Sequence, residues 1–135
     1  MPRFSDLSKD RLKTCHPDLQ LLFEQVVTKF DCIIIEGHRG KTKQDEAYRG
    51  GKSKVQYPNS NHNRDPAFAV DVAPWPLDWN DYSRFYYFGG YVLATAALLK
   101  DRGIITHDIR WGGDWDVDHD VKDNKFNDLV HFELK

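Results

Sequence analysis

The sequence is poor in sulfur, with two cysteines, Cys15 and Cys32, and one methionine among 135 residues. Two isolated cysteines exclude a disulfide framework and a cysteine-rich metal centre, so any metal must be held by histidine and carboxylate. The two thiols are expected to be buried and free. Long hydrophobic runs are also missing. No stretch approaches the roughly 20 apolar residues that cross a bilayer. The opening Met1-Pro2-Arg3-Phe4-Ser5-Asp6 lacks the apolar run of a secretory signal, so a product made in the cytoplasm without membrane insertion is expected. Charge of one sign is the third absence. With 19 basic and 21 acidic residues the net charge is −2, which excludes a general electrostatic attraction to nucleic acid or an anionic membrane. No internal repeat or low-complexity tract stands out.

What the chain does have is apolar and aromatic material: 40% apolar and 13% aromatic residues, enough to build one core and line a cleft. The length suits one domain over residues 1–135 and leaves little room for a second, and a monomer is expected. After a short polar start, Leu19, Leu22, Phe23, Val26, Val27 and Phe30 recur at helical spacing behind Pro17, which predicts an amphipathic helix. Cys32-Ile33-Ile34-Ile35 is a β-branched run closed by Gly37 and reads as a buried strand. A short helix is predicted over Lys43–Arg49, then a long loop rich in Gly, Ser, Asn and Pro from Gly50 to Pro66, a length that often carries function.

Ala67–Ala73 reads as a strand with Phe68, Val70 and Val72 on one face and Asp71 on the other, beside small residues. Asp78-Trp79-Asn80-Asp81 supplies caps for a long helix ending near Arg102, where Gly103 stops it. A strand over Ile104–Trp111, an acidic irregular segment from Gly112 to Asp128 and a last strand over Leu129–Leu134 complete the chain. Trp79 and Trp111 are expected in the core. Helices and strands follow one another without regular alternation, which predicts an α+β fold, with helices packed on a small, largely antiparallel sheet.

In the last strand His131 shares a face with Leu129 and Glu133, away from Val130, Phe132 and Leu134. Asp71 also leaves the apolar face of its strand, and His62 lies in the long loop just before it. Two imidazoles and a carboxylate, with a fourth position left open, make a catalytic metal shell; four protein ligands would argue for a structural one. Nitrogen and oxygen donors suit zinc, the reading taken, and admit other divalent ions. Asp114, Asp116, Asp118 and Asp120 space carboxylates two apart, as in calcium loops, with His119 among them. The glycine and terminal glutamate of a full calcium loop are missing, and a solvated acidic loop is preferred over a Ca2+ site.

Three stretches, Ser60-Asn61-His62, Ala69-Val70-Asp71 and Asp128-Leu129-Val130-His131-Phe132-Glu133-Leu134, resemble in their order the signature of the M15 family of zinc peptidases. That family includes D-alanyl-D-alanine carboxypeptidases and the L-alanyl-D-glutamate endopeptidases of phage endolysins. The chain is most similar to the endolysin branch, with support from Glu36-Gly37-His38-Arg39, Gly50-Gly51-Lys52-Ser53 and Trp111-Gly112-Gly113-Asp114-Trp115. One departure is visible: eight residues separate His62 from Asp71, two more than the commoner family spacing.

The resemblance implies His62, Asp71 and His131 as zinc ligands, Asp128 as general base and Arg39 as a clamp for the substrate or transition state. Arg39 suits that role because guanidinium presents a planar fork of donors. Ser60 is expected only as a loop hydrogen bonder. The implied activity is hydrolysis of the L-alanyl-D-glutamate bond in peptidoglycan stem peptides, on the wall side of the inner membrane after release by another protein. The alternatives are a D-alanyl-D-alanine carboxypeptidase and a zinc-containing binding module of the same fold without turnover.

Overall fold

In a computed structural model describing residues 1–122 and 127–135, the expected polar start is a helix. Ser5 takes an extended backbone and its hydroxyl accepts from the Ser8 amide, which caps α1 (Asp6–Leu12). His16 caps α2 (Pro17–Val27) in the same way, its Nδ1 accepting from the Asp18 amide at 3.0 Å, with proline in the first turn where its missing N–H costs nothing. Leu19, Leu22, Phe23, Val26 and Val27 form the buried stripe of α2. The remaining elements are β1 (Cys32–Glu36), α3 (Lys41–Arg49), a 3-10 turn (Asn61–Asn63), β2 (Ala69–Pro74), α4 (Tyr82–Asp101), β3 (Ile109–Gly112) and β4 (Asp128–Leu134). Among the described residues no helix is long and apolar enough to cross a membrane.

The four strands form one sheet in the order β1-β2-β4-β3, with every neighbouring pair antiparallel. This is the expected α+β architecture. The core lies between the sheet and helices α2 and α4: Phe132 of β4 meets Phe23 edge-on at 5.4 Å and Phe88 at 6.1 Å, and Val70 and Val72 of β2 are buried beside them. Cys15 and Cys32 are free and buried, and burial pushes their thiols up to about 11 and about 12.

Two strands differ from expectation for identifiable reasons. β3 starts at Ile109, not Ile104, because the buried Asp18 carboxylate takes the Thr106 and His107 amides at 2.9 and 3.1 Å, together with His107 Nδ1 at 2.7 Å. Burial alone would raise the Asp18 pKa, but these donors hold it at about 2. Backbone groups spent on a side chain are not available to a ladder. In β4, Val130 leaves the main core and joins Ala73 and Phe85 in a second small cluster. The cause is a bulge. Trp111 pairs with Phe132 while its neighbour Gly112 pairs with Asp128, so one step along β3 spans several residues of β4 and re-aims the start of that strand. Residues 123–126 of the expected acidic irregular segment lie outside the described residues.

Glycines make this packing possible. A Cβ at Gly112 would collide with the Asp128 backbone, and one at Gly89 or Gly113 would enter the indole of Trp111, which is 3% exposed. The glycine pair inside α4 is thereby explained at Gly89 alone, since nothing lies near Gly90. Gly89→Ala is expected to destabilise the fold by about 1–3 kcal/mol through overpacking. Gly90→Ala, in an exposed helix interior, should stabilise it by up to about 1 kcal/mol. Opposite shifts in Tm on thermal denaturation would be the signature, and equal shifts would contradict this packing.

Candidate metal centre

Asp71 and His131 face each other across the β2–β4 pair, so two potential donors are set by strand register. His62 arrives from the loop. Ser60 caps the 3-10 turn by accepting from the His62 amide at 3.2 Å, and Asn63 Oδ1 accepts from the Ser60 amide at 3.0 Å. The turn is tied to the segment after β1, where the Arg39 amide donates to the His62 carbonyl at 2.8 Å and Asn63 Nδ2 donates to the Arg39 carbonyl at 2.9 Å. These bonds fix the long loop despite its two extra residues, and His62 is 2% exposed.

Hydrogen bonding selects the nitrogen that each ring turns to the centre. His62 Nδ1 lies 2.8 Å from the Gly37 carbonyl, which can only accept, so Nδ1 carries a proton and Nε2 is the nitrogen turned to Asp71 Oδ1, 3.2 Å away, the one a metal would take. His131 Nε2 donates to Glu133 Oε1 at 2.7 Å and leaves Nδ1 facing Asp71 Oδ1 at 3.5 Å. One donor atom from each of His62, Asp71 and His131 lies within 4.8 Å of the others. This is the pattern of metal-ligating histidines: the far nitrogen held by a carbonyl or carboxylate, the near one presented. The residues therefore fit a single divalent ion.

The charges point the same way. Burial works against the Asp71 charge, but hydrogen bonds from His131 and His62 hold its carboxyl well below the usual carboxylate range. Burial would depress His131, yet Asp71, Glu133 and Asp128 raise it to about 9. Glu133, opposed by burial, is held at about 2 by His131 and by Arg110, whose NH2 sits 2.6 Å away. Without a metal, a protonated His131 supplies positive charge among three carboxylates, the place a divalent cation suits. Asp128 is pushed the other way: burial and the Asp71 charge raise its pKa, against His131, His62 and Arg39.

Asp128 and Arg39 line the same cleft of about 370 Å³ as His62 and His131. Arg39 is held on all sides: Nε donates to Glu36 Oε1 at 2.7 Å and NH1 to Gln44 Oε1 at 3.0 Å, while NH2 lies 2.6 Å from Glu36 and 3.6 Å from Asp71. The wholly buried Gln44 had no sequence signal, because a glutamine in a charged, weakly apolar helix looks solvated. Its amide also donates to Ser53 Oγ and the Val55 carbonyl at 2.9 and 2.8 Å, which pins the loop wall. Glu133 was visible as a residue on the His131 face, but its link to Arg110 was not.

Other expectations are redrawn. Trp111 is in the core, but Trp79 is not: it is 54% exposed and stacks on Phe85 at 5.7 Å beside Asp128, because the turn before α4 leaves only one ring face covered. Asp114, expected in a solvated loop, is buried and accepts from the Asp118 and His119 amides. It brings oxygen atoms of Asp114, Asp116 and Asp118 within 4.8 Å. His16, Asp18 and His107 also converge, in the contacts that cap α2 and hold the segment before β3.

A family model described as phage L-alanyl-D-glutamate peptidase matches residues 1–135. Among solved structures, the crystal structure of the Serratia marcescens L-Ala D-Glu endopeptidase ChiX is similar, with a TM-score of 0.70 over 99% of this chain and 91% of that one, at 21% identity. At that identity the likeness is one of fold. No curated protein matches the chain.

Proposed function

The chain belongs to the phage L-alanyl-D-glutamate peptidases, and from that premise we propose that it is a zinc-dependent endolysin cutting the L-alanyl-D-glutamate bond of peptidoglycan stem peptides. The observation that carries the reading is the convergence of His62 Nε2, Asp71 Oδ1 and His131 Nδ1, with Asp128 in the same cleft. An ion held there supplies Lewis acidity and makes water a competent nucleophile near neutral pH.

The chain's own residues do the rest. Asp128 accepts a proton from the attacking water and returns it to the leaving nitrogen; its raised pKa suits a base that must also act as an acid. Arg39, fixed by Glu36 and Gln44, keeps positive charge at the wall where the carbonyl oxygen becomes an oxyanion. Glu133 and Gly37 hold the two imidazoles in one tautomer, so their bare nitrogens stay aimed at the centre. The protein acts as a monomer on the wall, reached once the inner membrane is opened.

The test is digestion of purified muropeptides with zinc-loaded and chelator-treated protein, followed by mass analysis. The expected result is separation of stem peptides at L-alanine by the zinc-loaded protein and loss of cleavage on chelation. Release of terminal D-alanine alone would make it a carboxypeptidase, and binding without products would make it a non-catalytic module.

A further inference from the structure

The cleft is crowded with charge, and most of it is internally matched. Arg39 is paired with Glu36 and lies near Asp71, and Arg110 is paired with Glu133. Lys52 differs: its side chain is exposed and makes no ion pair or hydrogen bond with any described residue. It nevertheless lines both halves of the cleft, the half that contains His62, His131 and Arg110 and the half that contains Glu36, Lys43 and Trp79. Asp128 and Arg39 are the other two charged residues common to both halves.

The position of Lys52 is built, though its side chain has no partner among the described residues. The Lys52 and Ser53 amides both donate to the Ala47 carbonyl, at 2.9 and 3.1 Å, at the end of α3. Gly51 turns the chain with φ +77, a conformation that favours glycine. Gln44 then fixes Ser53 and Val55 from inside. The Lys52 backbone is thus tied to the end of α3, and the neighbouring Ser53 to the same buried Gln44 that holds Arg39, while the Lys52 residue lines the cleft.

A bond between alanine and glutamate has an asymmetric charge. The residue on the leaving side carries a carboxylate on the carbon attached to the scissile nitrogen whenever the chain continues through the γ-carboxyl. Such a substrate brings an anion close to Asp128, where it needs a cation not already neutralised by the protein. We propose that Lys52 recognises this free carboxylate and makes the enzyme prefer an acidic residue on the leaving side. The inference rests on the proposed activity. Arg39, already fixed in its ion pair with Glu36, is left to the oxyanion.

The experiment compares two synthetic stem peptides, one with the glutamate α-carboxylate free and one with it amidated, on zinc-loaded wild type, Lys52→Met and Lys52→Arg. Wild type should favour the free carboxylate by about tenfold in kcat/KM, as one charge-assisted contact provides, with most of the difference in KM. Lys52→Met should bring the ratio close to one, and Lys52→Arg should restore most of it. An unchanged ratio in Lys52→Met, or equal losses on both peptides, would overturn the role of Lys52 while leaving the proposed activity standing. If wild type cleaves neither peptide, the activity itself fails and Lys52 with it.

Discussion

Replacing Asp128 by asparagine should lower kcat for stem-peptide hydrolysis by about 10²–10⁴-fold, the usual worth of a positioned general base, while the protein keeps one zinc ion and its Tm. Asparagine has nearly the same volume and cannot accept the proton. The donor atoms of His62, Asp71 and His131 converge without Asp128, so metal stoichiometry measured by atomic absorption should stay at one. The two readouts separate the roles. Loss of metal together with activity would make Asp128 a ligand, and full activity would remove it from the mechanism. In the metal-free site burial and the Asp71 charge raise the Asp128 pKa, whereas Asp71, hydrogen-bonded by two imidazoles, is held far below it. Two carboxylates in one cleft are driven apart in proton affinity by their neighbours.

The second large effect is expected at His131. His131→Ala should reduce bound zinc to near zero at micromolar metal and abolish hydrolysis, because a buried donor is deleted and Asp71 loses one of its two histidine partners. Glu133→Gln is the graded comparison. Its amide oxygen still accepts from His131 Nε2, so ring orientation survives, but the charge that makes the imidazole more basic is gone. Zinc affinity should fall about tenfold, and activity should return at higher zinc. A chelator titration of the three proteins orders them as wild type, Glu133→Gln, His131→Ala. One mole of zinc retained by His131→Ala would remove that residue from the ligand set.

Much of this centre was legible in the sequence, and the parts that were not share a cause. Strand alternation put Asp71 and His131 on the polar faces of their strands, and β2 and β4 pair so that these residues meet. The same alternation puts Asp128, three residues from His131, on the opposite face. Only the bulge between Trp111 and Gly112 turns it into the cleft, and that bulge depends on Gly112 allowing the Asp128 backbone to approach. A local periodic rule cannot register a contact between segments distant in sequence. Trp79 departs from its expected place in the core for a similar reason: an indole suits a core, but whether its second face is covered depends on what lies across the turn.

The sequence by itself determined which side-chain types are at hand for a metal, imidazoles and carboxylates with no thiolate pair to compete, and the order of motifs that marks the family. Those are properties of residue type and spacing. Tertiary structure decided which nitrogen of each histidine is turned to the centre, that Gln44 joins Arg39 to the Lys52 loop, and that Lys52 has no ion pair among the described residues. Each of those depends on hydrogen bonds and ion pairs made with a side chain or carbonyl that only folding brings near.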